Sequence, residues 1–241
     1  HVDVRPADGV LATPYPVLTA PAGVIHDEAG ARFLAAWRAG APRVVLAAHN
    51  APNLGCGLRA VWRRLRAWAA ASLCDEIVSV SHDCAGKISA SCGRPVRVIL
   101  NGSSAAPCLE SPEALRAELG VPAGVALIGT IANLEARKGL RVLLEAFARV
   151  PRPEAHLVVI GAEAGPEEAA ALRALAAGPA LTGRAVLTGY RPNARRFAAA
   201  FDVCVVPSLR QESFGLLALD AMLAGRPVVA SRVGGLPEVV A

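Results

Sequence analysis

Two acids stand out by type and setting, Glu212 and Asp220. Glu212 sits in a loop after the apolar run Val203, Cys204, Val205, Val206. Asp220 follows eight positions on, inside a segment whose spacing predicts a helix over Leu216 to Ala224. In an open α/β sheet, ligands bind beyond the carboxyl ends of the strands, and a helix opening there aims free backbone N–H groups at an anion. A helix start after Phe214 and Gly215, with Leu216 and Leu217 in its first turn, therefore suits a phosphate without any basic side chain. Gly215 permits close approach of backbone to ligand. From a loop and a following helix turn, Glu212 and Asp220 can face one cleft. Metal binding is the competing use of paired acids, but no His or Cys flanks them to complete a site.

The elements that must position these groups read as alternating strands and helices. Strands are expected at Val125 to Ile131, His156 to Ile160, Ala185 to Thr188, Val203 to Val206 and Pro227 to Ala230. Helices are expected at Glu113 to Leu119, Leu140 to Val150, Glu167 to Ala177, Ala194 to Ala200 and Leu216 to Ala224. Five strands separated by helices predict a doubly wound parallel sheet. Upstream, Arg43 to Ala48, Glu76 to Val80 and Val96 to Leu100 read as strands and Leu58 to Ser72 as a helix. The first forty residues, broken by Pro14, Pro16 and Pro21, carry weak signals. A change of character through Gly102, Ser103, Ser104, Pro107 and Pro112 sets a domain boundary, giving domains at 1–105 and 106–241.

The stretch Ser-x-x-x-Glu-x-Phe-Gly from Ser208 to Gly215, followed by Asp220-Ala221-Met222-x-Ala224-Gly225-x-Pro227, is similar to the family-four retaining glycosyltransferases. Their signature is two Glu residues separated by seven others. The resemblance implies an α/β chain of GT-B type, with two Rossmann-like doubly wound parallel-sheet domains, the first incomplete and the second without its last helices. It implies that Glu212 hydrogen-bonds donor-sugar hydroxyls and that Asp220, one methylene shorter than the family Glu, holds the ribose. The loop Gly129 to Gly139 resembles the one in which an Arg, then a Lys five residues later, clamp the donor diphosphate. Lys138 matches; Asn133 stands where the family has Arg, and Arg137 or Arg210 could substitute. Gly189 to Asn193 resembles the loop bordering the nucleotide base, which makes Arg191 a base or phosphate neighbour. His49, ending the run Val44 to Asn50, corresponds to a family His near the anomeric carbon. His26 follows Val24-Ile25 in a similar setting.

Composition bounds the reading. With 54% hydrophobic and 19% charged residues the chain builds a core and excludes a disordered protein. A net charge of +5 and a pI near 9.1 come from dispersed Arg without a dense basic tract, so an anionic small substrate fits equally well and no nucleic-acid partner is expected. At 58–73, Val61, Leu65, Ala69 and Leu73 recur at helical spacing among arginines. The favoured reading is a stripe facing its own core, the other a peripheral membrane contact. The six cysteines contain no CxxC pair and are read as reduced and structural, and a cytoplasmic location is the default. Ser81, His82 and Asp83 are adjacent, the wrong geometry for a nucleophilic triad. No Walker loop or GxGxxG occurs.

The expected activity is transfer of a hexose from a UDP- or GDP-sugar to a hydroxyl acceptor, with no cofactor and no metal. Catalytic roles fall to His49, Glu212 and Lys138. Donor contacts fall to Asn133, Arg137, Lys138, Arg191, Glu212, Phe214, Gly215, Leu216, Leu217 and Asp220. A sugar-nucleotide epimerase and a non-catalytic nucleotide-sugar-binding fragment remain as other readings.

Overall fold

The computed structural model describes residues 23–25, 44–50, 61, 65, 68–69, 71–103 and 110–240. The expectations at His26, Cys56 and Cys108, and most of the helix at 58–73, lie outside these residues. The chain divides into two compact units between Asn101 and Gly102, ahead of the division expected after residue 105.

In the first unit four parallel strands lie in chain order: β1 (Gly23–Ile25), β2 (Val44–Ala48), β3 (Glu76–Ser79) and β4 (Arg97–Val98). The strand expected at Val96 to Leu100 is shorter, because Ile99 and Leu100 turn to solvent. After β3 runs α1 (His82–Cys92), which the sequence reading omitted. Ser81 is its N-cap, accepting from the Cys84 N–H at 3.1 Å, and Gly93 closes it with φ of 71°. Thus Ser81, His82 and Asp83 form a helix start. Cys84, Ile88 and Cys92 on its inner face pack with Val44, Ile77, Ala71 and Cys74. Val61, Leu65, Trp68, Ala69 and Leu73 are exposed, whereas Ala71 and Cys74 are buried. The apolar stripe therefore faces away from the unit's core, against the favoured reading. At 100° per residue Ala71 and Cys74 fall on the opposite face, and their small side chains allow closer approach to the sheet. Among the described residues no helix is long and apolar enough to cross a membrane.

In the second unit the strands are β5 (Leu127–Ile131), β6 (His156–Ile160), β7 (Ala185–Gly189), β8 (Val203–Val206) and β9 (Val228–Ala230), all parallel in the order β7-β6-β5-β8-β9. Helices α2 (Pro112–Glu118), α3 (Leu140–Phe147), α4 (Pro166–Ala176), α5 (Leu216–Leu223) and α6 (Leu236–Val239) complete it. Alternation along the strands sorts the core onto two faces. Leu127, Val158, Ile160, Cys204 and Val206 pack with Leu115, Phe197, Phe201 and Ala218. Leu157 and Val159 pack with Leu143, Leu144, Phe147 and Leu172 of α3 and α4. The segment Ala194–Ala200, expected as an α-helix, is a 3-10 helix whose ends close by i to i+3 bonds, Arg196 N–H to Asn193 O and Phe201 N–H to Ala198 O. At the amino ends of the strands Arg116 donates to Ala200 O at 2.8 Å and to Asp202 Oδ1 at 2.7 Å. Asp202 Oδ2 in turn accepts from Leu127 N–H at 2.7 Å, which ties α2, β5 and the start of β8 together.

The described cysteines, Cys74, Cys84, Cys92 and Cys204, are all free and buried. Burial, with the charge of Asp220 adding to it, pushes the Cys204 thiol up to about 12 from its ordinary 9.0. Below pH 9 this thiol is protonated in both folded and unfolded chains. Between 9.0 and about 12 the unfolded chain ionises and the folded one does not, so the thiol's share of stability is lost as pH rises through that window. Wild type should therefore lose urea-unfolding midpoint between mildly and strongly alkaline buffer faster than Cys204→Ala. Parallel declines in the two proteins would contradict this.

Candidate functional site

The first strand of the second sheet, β5, has β6 on one side and β8 on the other, so the chain order reverses between β5 and β8. Loops leaving the carboxyl ends of two such strands diverge and open a crevice. The loop after β5 carries Asn133 and the 3-10 turn Ala136–Lys138; the loop after β8 carries Ser208, Arg210 and Glu212 and leads into α5. The two loops are joined by backbone, Leu209 N–H donating to Arg137 O at 2.8 Å.

Within this crevice Lys138 Nζ lies 2.7 Å from Glu212 Oε2, and the pair is largely buried. Ser208, 1% exposed, donates its hydroxyl to the same oxygen at 2.7 Å. Ser208 was read only as part of a motif; its grip on Glu212 is new. Both anchors use Oε2, which leaves Glu212 Oε1 without a partner among the described residues and able to accept from a ligand hydroxyl. Gly235 N–H donates to Glu212 O at 2.8 Å, which holds the backbone as well.

Helix α5 starts at Leu216 with Gly215 at its N-cap and no side chain capping it, so its amino end keeps its affinity for an anion. A Cβ on Gly215 would lie 2.4 Å from Leu236 Cδ2, so packing against Leu236 also calls for glycine here. Phe214 is buried and Leu216 is exposed beside it. Leu217 is half-buried and packs against the α5-side core.

Asp220 is engaged on both oxygens. Oδ1 accepts from Ser103 Oγ at 2.7 Å and from Arg195 Nη2 at 2.6 Å, and Oδ2 accepts from Arg195 Nε at 2.7 Å. Its side chain is 8% exposed against 62% for Arg195. The hydrogen bond to Asp220 raises the Arg195 guanidinium above its ordinary value. Neither Arg195 nor Ser103 was singled out from sequence.

Of the other candidates, Asn133 is exposed at the end of β5, Arg137 is drawn to Glu135 at 2.5 Å, and Arg210 is exposed. Arg191, after β7, buries its Nε without a hydrogen-bond partner. His49 is exposed at the carboxyl end of β2, in the first unit. Among the described residues no group of three or more His, Cys, Asp or Glu is placed to hold a metal ion.

Residues 125–241 match the model of the family described as glycosyl transferases group 1. The matched stretch lies within the second unit and takes in most of it. D-inositol 3-phosphate glycosyltransferases of Corynebacterium efficiens and Xylanimonas cellulosilytica are 38% identical over 136 residues and 41% identical over 132 residues to this chain. Those alignments take in 54% and 53% of the chain but only 32% and 31% of the relatives, so the match spans about a third of their length. Two solved structures share the fold over nearly the whole chain. HepE of Anabaena in complex with UDP and glucose superposes with a TM-score of 0.77 at 24% identity, covering 90% of this chain and 61% of that one. Sucrose-phosphate synthase of Thermosynechococcus elongatus gives 0.72 at 23%, covering 90% and 58%. The fold class is thus α/β with parallel sheets, of GT-B type.

Proposed function

We propose that this protein carries out retaining transfer of a hexose from a nucleotide diphosphate sugar to a hydroxyl acceptor, with the second unit binding the donor. The observation that carries the proposal is the pairing of Lys138 with Glu212, 74 positions apart in sequence and 2.7 Å apart in the crevice at the strand-order reversal. One ammonium hydrogen goes to Glu212, and the remaining two are available to diphosphate oxygens. Lys138 and the amino end of α5 then offset the charge that builds on the departing diphosphate, where a preorganised cation and helix terminus act most strongly. Glu212 Oε1 accepts from a sugar hydroxyl, Asp220 from the ribose, and Arg191 lies beside the base or a phosphate. Asn133 adds an amide where the family has Arg, and Arg210 supplies the second cation. His49 orients donor and acceptor.

In this mechanism the bond from the anomeric carbon to the diphosphate oxygen breaks as the acceptor oxygen bonds to the same face of that carbon. The acceptor proton passes to the leaving diphosphate. Neither a covalent nucleophile nor a metal ion takes part. Of the UDP- and GDP-sugars, the UDP-sugar is supported by HepE of Anabaena, whose structures include one in complex with UDP-glucose.

Calorimetric titration with UDP- and GDP-sugars tests the donor assignment, and release of free nucleotide only when a hydroxyl acceptor is present tests transfer. Absence of binding by both donor classes would overturn the proposal. Binding without transfer to any acceptor would reduce the chain to a binding module.

A further inference from the structure

Asp220 is the shorter acid at a position where the resemblance implies Glu, and its surroundings differ from those of a free carboxylate. A carboxylate offers about four acceptor sites. Ser103 Oγ and Arg195 Nη2 occupy two on Oδ1, and Arg195 Nε occupies one on Oδ2. One acceptor site remains, on Oδ2. Arg195 and Ser103 are also hydrogen-bonded to each other, closing a three-membered clasp around a side chain that is only 8% exposed. Arg195 comes from the 3-10 helix Ala194–Ala200, and Ser103 lies two residues past the boundary between the units. Neither is close in sequence to Asp220; the separations are 25 and 117 residues.

We infer that Arg195 is a positioning residue for Asp220: its two-point grip, completed by Ser103, sets the direction of the single open acceptor site and so makes recognition of the donor's ribose hydroxyls depend on Arg195. This rests on the donor-site reading proposed above. The guanidinium is planar and rigid, and a two-point contact fixes the rotation of the carboxylate as well as its place. With Arg195 absent, the carboxylate is free to rotate about its last bond, and the open site no longer points in one direction. The positive charge matters as well, since an unmatched carboxylate repels a diphosphate. That effect acts equally on nucleotides with and without ribose hydroxyls, whereas loss of direction acts only on those that have them.

The test measures the affinity of the full chain for uridine or guanosine diphosphate and for the corresponding dideoxy nucleotide, which lacks both ribose hydroxyls. Wild type should favour the ribose form by about tenfold, the effect of one hydrogen bond to a charged group. Arg195→Ala should bring that ratio close to one. Arg195→Lys, which retains charge and folding contacts but cannot grip both oxygens, should lower it as well. A purely structural role for Arg195 would weaken both nucleotides together and leave the ratio unchanged, and that result would overturn the inference while the donor-site reading stands. If wild type binds neither ribonucleoside diphosphate, the donor-site reading itself is overturned, and this inference with it.

Discussion

Glu212→Ala is expected to reduce sugar transfer by about 10²- to 10³-fold, the usual cost of removing one preorganised polar group from a transfer site. The substitution removes two things together. It takes away Oε1 from the sugar, and it leaves Lys138 and Ser208, both converging on Oε2, without their shared acceptor. Glu212→Gln separates these effects, because it retains an amide oxygen but loses the charge that holds Lys138. Its loss of transfer should fall between wild type and Glu212→Ala. Lys138→Ala should weaken binding of the diphosphate moiety itself, which free nucleoside diphosphate measures without the sugar. The double variant should lose less than the sum of the singles, since the two side chains touch. Wild-type transfer and donor affinity in Glu212→Ala would remove the pair from the mechanism.

Gly139→Ala should produce a large loss of stability. Gly139 has φ of 68°, and a Cβ there would lie 2.0 Å from the carbonyl oxygen of Pro207. The left-handed conformation alone costs a residue with a side chain about 1–2 kcal/mol. The overlap is with backbone, so relief requires the loop after β8 to separate from the loop after β5. That movement stretches the bond from Leu209 N–H to Arg137 O and carries Glu212 away from Lys138. A total of about 3 kcal/mol or more is expected, near the upper end of what single substitutions do. Urea unfolding should show the lowered midpoint, and donor affinity should fall with it. An unchanged midpoint would mean that the loops are not packed as described.

These two experiments address parts of the site that differ in how readily they are seen in sequence. Glu212 and Lys138 were legible because each stands in a segment that resembles a known family's motif, in a loop that follows an apolar run read as a strand. His156–Ile160 and Val203–Val206 were bounded as they stand in the fold. Both strands have sheet neighbours on either side and helices on both faces, and continuous apolar runs follow from that placement. Helix α1 was not read from the sequence, because its inner face, Cys84, Ala85, Ile88 and Cys92, has a single large apolar side chain; Ser81 and Gly93 were the cap signals that could have revealed it. The stripe through Val61 and Leu65 has helical spacing, yet spacing alone does not say which face meets the sheet. The small residues Ala71 and Cys74 do so instead.

By itself the sequence determined the parallel α/β class, the order of strands and helices in the second unit, and the two loops that bear the acid and the lysine. Periodicity and motif spacing are local properties, and a chain read in order displays them. Only the tertiary structure decided which partners those side chains take. Ser208 and Lys138 meet on one oxygen of Glu212, Arg195 and Ser103 close on Asp220, Glu135 draws Arg137 to itself, and Leu236 fills the space beside Gly215. Most of these contacts join segments far apart in sequence, and they exist because the strand order reverses between β5 and β8 and brings those segments to one edge of the sheet.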